Sequence, residues 1–122
     1  MKYETFVCGN ISLVNLQPSV KQEIKTWLEN HFGVHEIDDI YSNEMLEFDL
    51  EWDDFEENEK FMKLVYHIAQ VLPKTTKSLI MCNGERDGDI WGISINENKV
   101  FTQRFELKPI SELEEYEKVR YN

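Results

Sequence analysis

The stretch MLEFDLEWDD, residues 45–54, alternates apolar and acidic side chains almost without interruption. Leu46, Phe48, Leu50 and Trp52 fall on one parity, and Glu47, Asp49, Glu51 and Asp53 on the other. A period of two is the mark of a half-buried strand, so this chain must build a sheet with one covered face and one wet face. The wet face of this strand carries only carboxylates. Side chains two apart on a strand stand roughly 6.6–6.8 Å apart, where two like charges repel by roughly 0.6 kcal/mol in water. Folding alone gives no reason to line up four of them. Edge protection, plain solubility, or pairing across the sheet with Arg104 and Lys108 would make the row a solvated surface. A soluble face usually mixes Lys with Glu, however, which leaves a partner-binding surface as the competing reading.

The charge distribution sharpens the choice. Of 24 acidic and 13 basic residues, the segment from Glu36 to Lys60 holds 12 acids and one base. The 12 acids and 12 bases outside it cancel, so the whole net charge of −11 lies in one fifth of the chain. Asp38, Asp39 and Glu44 precede the strand, and Asp54, Glu56, Glu57 and Glu59 follow it. Such a block repels nucleic acid and anionic membrane and attracts basic proteins or cations. A regular row of carboxylates also resembles the charge ladder of a nucleic-acid backbone, which a basic groove would accept.

Around this strand the sequence predicts one α+β domain over residues 1–122. Strand 3–14 contains Gly9, expected to mark a bulge or a close approach. A helix is expected to start from a Ser19–Gln22 capping box, carry Val20, Ile24, Trp27, Leu28 and His31 on one face, and close at Gly33. Two strands, about 35–41 and 45–53, are expected around Ser42-Asn43. A second helix, with Asp54 and Glu57 as its cap, buries Phe61, Leu64, Val65, Ile68 and Leu72 before Pro73. SLIMCN (78–83) is apolar on both parities, as a central strand would be. DIWGISIN (89–96) and VFTQRFELK (100–108) follow through hairpin-type turns, and a last short helix is expected from Ser111 with Glu114. The first six elements fit a ferredoxin-like β-α-β-β-α-β core, with two further C-terminal strands and the terminal helix added.

Catalytic chemistry has no foothold in these residues. There is no GxSxG, no recognisable Cys/His pair, no Gly-rich phosphate loop and no HExxH, so no catalytic residue is nominated. NGERDGDIWGIS offers Asn83, Glu85, Asp87 and Gly88 at calcium-loop offsets, but Ser94 stands where the closing glutamate belongs, and an Asp-Gly hairpin turn accounts for it better. His31 and His35 straddle Gly33 and His67 stands alone, so no metal or other cofactor is expected. Ribonucleoprotein-type RNA binding is rejected because the basic and aromatic strand pattern is missing. Trp27, Trp52 and Trp91 are expected in the core. Cys8 and Cys82, without CxxC spacing, are expected as buried free thiols in a cytoplasmic protein, with a disulfide as the alternative.

Gly84-Glu85-Arg86-Asp87-Gly88-Asp89-Ile90-Trp91, with Asn96 to Val100, resembles the GE-x-x-GD-hydrophobic-W hairpin of small bacterial and phage α+β proteins of no assigned activity. That likeness implies a fold and a cytoplasmic, mobile-element setting, and no site. By type alone, the chain is similar to small acidic toxin-immunity proteins and phage inhibitors of defence nucleases, including anti-CRISPR and anti-restriction proteins. The expectation is a non-enzymatic inhibitor that blocks a basic nuclease or other nucleic-acid-binding protein, partly by nucleic-acid mimicry. Its proposed contacts are Glu47, Asp49, Glu51, Asp53, Asp54, Glu56, Glu57 and Glu59. The competing class is a housekeeping or structural domain with a merely solvated acidic face; an enzyme is the less favoured third.

Overall fold

A computed structural model describes residues 2–109 and 111–113. Strand β1 (Lys2–Ser12) leads into helix α1 (Pro18–Phe32). The short helix α2 (Ile37–Ile40) precedes strand β2 (Met45–Asp54), which runs directly into helix α3 (Phe55–Val71). Strands β3 (Ser78–Gly84), β4 (Ile90–Asn96) and β5 (Lys99–Phe105) complete the described elements. The five strands form one antiparallel sheet in the order β2-β1-β3-β4-β5.

This order differs from the ferredoxin-like arrangement expected from the sequence. The segment expected as a strand at 35–41 makes one helical turn, and only Tyr41 bridges to Leu46. Ile37 and Ile40 explain the difference. Spaced by three, both turn inward and are buried only if the segment coils, while Asp38 and Asp39 disfavour a strand. With that strand gone, β1 pairs with β2 along nearly its whole length, and no split β-α-β unit forms. The helix expected from Ser111 with Glu114 lies outside the described residues beyond Leu113.

One sheet face carries the core. Val7 and Ile11 of β1, Leu46 and Phe48 of β2, Ile80 and Cys82 of β3, and Ile93 and Ile95 of β4 pack against Ile24 and Leu28 of α1 and Phe61, Val65 and Ile68 of α3. Phe61 anchors β2, with its ring edge-to-face on Phe48 at 5.2 Å and tilted against Trp52 at 5.3 Å. A slip of one residue in β2 would turn Leu46 and Phe48 out and four carboxylates in, so the alternation pins the register.

Local chemistry sets the helix ends. Helix α1 starts one residue before Ser19, because Pro18 occupies the first helical position and needs no N–H partner there. No Ser19 cap forms. Gly33 closes the helix at φ 94°, a conformation open to glycine. Asp54 caps α3 by accepting from the Glu56 N–H at 2.9 Å. At the other end, Asn98 donates to the carbonyls of Ala69 (2.9 Å) and Leu72 (2.6 Å). Asn98 sits in the β4–β5 turn with Glu97, both at positive φ, so one two-residue turn closes the hairpin and ties off the helix.

Gly9 marks a close approach and not a bulge. Its register to Phe48 and Ile80 is regular, and a Cβ there would stand 2.8 Å from the Ile80 Cα. The register shift in β1 falls between Lys2 and Thr5.

Candidate functional site

Strand β2 is an edge strand, and its acidic row faces away from the helices. Glu47, Asp49 and Glu51 stand opposite Asn10, Cys8 and Phe6 of β1, all exposed on the outer face, with exposed Asp53 continuing the row. Among the described residues, no cation lies within 4.0 Å of any of the four carboxylates. The cross-sheet neutralisation by Arg104 and Lys108 does not form. Strand order puts β2 and β5 on opposite edges, four spacings or about 19 Å apart. Arg104 pairs with Asp89 instead, and Lys108 with Glu106 at 3.6 Å.

The other four residues of the expected site do not extend the row. Asp54 is spent on the α3 cap. Glu57 turns inward, where its Oε1 stands 2.7 Å from His31 Nε2, close enough for an ion pair though out of line for a hydrogen bond. That pair joins α3 to α1. Glu56 and Glu59 project from α3, on the helix-covered side of the sheet, with Lys63 3.9 Å from Glu59. The eight residues therefore divide between two sides of the molecule.

What the residue pattern concealed is the surface beside the row. On the outer face Phe6 is 46% exposed, Leu79 51% and Phe101 49%, and none is covered by a described element. Met81, Ile90 and Phe105 are half-buried between them. Gly92 makes room in the middle, since a Cβ there would meet the Phe105 ring at 2.7 Å and Leu79 at 3.1 Å. The result is a largely apolar floor across β1, β3, β4 and β5, interrupted by Asn83, Ser94 and Gln103, with a carboxylate wall along β2. Two cues were present in the sequence: SLIMCN is apolar on both parities, and Phe6 sits out of step with buried Val7 as Phe101 does with half-buried Val100.

At the β2 edge the acidic wall closes round a hollow of about 710 Å³, lined by Glu36 and Asp39 from the α2 region and by Cys8, Glu47 and Asp49 from the sheet. This brings two further acids of the 36–60 block beside the row. Cys8 is an exposed free thiol on that outer face, against the expectation of burial. Cys82 is a buried free thiol, and burial pushes it up to about 12. Val7 pairs with Cys82 and Cys8 with Met81, so the two thiols point to opposite faces of neighbouring strands and cannot join.

Among the described residues, no group of three or more His, Cys, Asp or Glu is arranged to hold a metal ion. No described helix is long and apolar enough to cross a membrane. The arrangement is suited to contact: an apolar floor to exclude water, and a charged edge to select and orient a partner. Compared with protein-family models, with curated proteins and with solved structures, the chain matches none.

Proposed function

We propose that this chain is a non-enzymatic binding protein that docks its open sheet face on a basic, nucleic-acid-handling protein and blocks it. The observation that carries this reading is the row Glu47, Asp49, Glu51 and Asp53, unpaired among the described residues and bordering an exposed apolar floor. Four aligned carboxylates cost folding energy through mutual repulsion, and a basic partner surface turns that cost into attraction. A toxin-immunity protein and a phage inhibitor of a defence nuclease, such as an anti-CRISPR or anti-restriction protein, both fit this description.

Charge density limits the mimicry. One strand of DNA carries a charge every ~3.4 Å of axis, against one every ~6.8 Å along β2. The row therefore reproduces about half the charge density of one nucleic-acid strand. Phe6, Leu79 and Phe101 would supply the remaining contact by burying apolar surface. Mimicry steers the encounter, and the apolar floor holds the complex.

One observation favours a second reading. Strand β2 is a sheet edge, and charges on an edge deter pairing with other chains. Capture from a bacterial lysate separates the two, comparing wild type with the Glu47→Lys, Asp49→Lys, Glu51→Lys, Asp53→Lys variant. The binding reading expects basic nucleic-acid-handling proteins on wild type alone, released as salt rises. If both chains capture the same proteins, the binding reading fails and edge protection stands.

A further inference from the structure

On the helix-covered side, a cavity of about 780 Å³ opens between the N-terminal half of α3 and the sheet. Tyr3, Phe55 and Trp91 are among its walls. The Tyr3 and Phe55 rings stand 5.9 Å apart with their planes 80° from each other. Ring faces carry negative charge density, so the open face of a ring such as half-exposed Phe55 suits a cation better than an anion.

The fixed charges at the mouth point the same way. Asp89 is already satisfied: the Tyr3 hydroxyl donates to one carboxylate oxygen and Arg104 to the other. Arg104 and Asp89 thus cancel, and this bond to Asp89 is the chief reason the Tyr3 hydroxyl titrates above its ordinary value. Glu56 and Glu59 remain. Glu56 has no cation within 4.0 Å among the described residues, and Glu59 has the exposed Lys63 at 3.9 Å. Arg86, whose charge also reaches Tyr3, lies outside the lining, so the uncompensated charge of the lining itself is negative, which disfavours an anionic ligand. A neutral apolar ligand would gain nothing from the two glutamates.

We propose that this cavity binds the arginine side chain of a basic peptide segment, with its guanidinium against the aromatic walls and its charge met by Glu56 and Glu59. Arginine suits these walls better than lysine because its planar head stacks on rings while its N–H fork still reaches carboxylates. The volume exceeds what a lone ion needs and falls within the range of pockets that enclose small ligands, so neighbouring peptide atoms fit as well. The site stands on its own geometry, across the sheet from the acidic row, so either reading can fail without the other.

The test is an NMR titration of the full chain with capped Gly-Arg-Gly, following the indole N–H of Trp91. Trp27, away from the cavity, serves as the internal control. The expected result is a saturable Trp91 shift with a dissociation constant on the order of 1 mM. The Glu56→Gln, Glu59→Gln variant should bind about tenfold more weakly, as loss of two partly screened ion contacts implies. Both residues are exposed, so the fold should persist. Phe55→Ala should weaken binding by removing one wall. The peptide with citrulline should leave Trp91 unmoved, and the lysine peptide should bind several-fold more weakly. The proposal is overturned if the citrulline or lysine peptide binds as tightly as arginine, if the double variant binds unchanged, or if Trp91 shows no saturable shift.

Discussion

Neutralising the β2 row with Glu47→Gln, Asp49→Asn, Glu51→Gln and Asp53→Asn should make the protein more stable. These side chains are exposed and unpaired among the described residues, so the substitutions remove repulsion without breaking a described contact. Neighbouring carboxylates stand about 6.7 Å apart, where the bare repulsion in water is about 0.6 kcal/mol per pair. Screening lengths of about 8 Å at 0.15 M salt and about 30 Å at 0.01 M reduce this to about 0.3 and 0.5 kcal/mol. With the more distant pairs included, the row costs about 1 kcal/mol at 0.15 M and about 2 kcal/mol at 0.01 M salt. Urea unfolding at the two salt concentrations reads this directly. For a slope of about 2 kcal/mol per molar urea, the midpoint should rise by about 0.5 M at the higher salt and about 1 M at the lower. A variant equal to or less stable than wild type at both salts would refute the reasoning, because the row would then be serving the fold.

Gly9→Ala should destabilise by about 1–3 kcal/mol by overpacking; its Cβ would meet backbone atoms of β3, Ile80 Cα at 2.8 Å and Leu79 O at 2.9 Å, and the loss appears in the urea midpoint. Asn98→Asp removes the donor to the Ala69 and Leu72 carbonyls and sets a negative charge at the end of α3. It should cost about 1–3 kcal/mol, with faster hydrogen exchange in the last turn of that helix. For the thiols, a disulfide-exchange reagent should modify Cys8 promptly in the native protein and Cys82 only after unfolding. The Cys82 thiol ionises near 9.0 when unfolded and at about 12 when folded. Its contribution to stability is therefore full below pH 9.0 and is lost as pH rises towards 12. Cys82→Val should flatten that alkaline loss, measured as the pH dependence of the urea midpoint.

The alternation from Leu46 to Trp52 was sufficient to read β2, and the stripe Phe61, Leu64, Val65 and Ile68 to read α3, because each repeats a local period over several turns or pleats. The Ile37–Ile40 segment was too short for either period to dominate, and its helical state is decided by burial of two isoleucines against the rest of the core. The ferredoxin-like order fell with that one segment. The same kind of non-local information decided the site. Asp54 and Glu57 look like their neighbours in sequence, yet one is taken by a helix cap and the other by His31 of a different helix. The apolar floor of Phe6, Leu79 and Phe101 comes from three strands, so only the pairing of β1, β3, β4 and β5 brings it together beside the acidic edge.

Cys8 provides the most direct test of the central claim, since it lies on the outer face opposite Asp49, between the acidic wall and the apolar floor. Its alkylation rate can be followed by mass spectrometry in the free protein and in the fraction bound to proteins captured from a bacterial lysate. Docking through the open sheet face should slow modification of Cys8 in the bound fraction by about tenfold or more, a protected population of at least ~90%. A bound fraction in which Cys8 reacts as fast as in the free protein would contradict the assignment of this face as the interface.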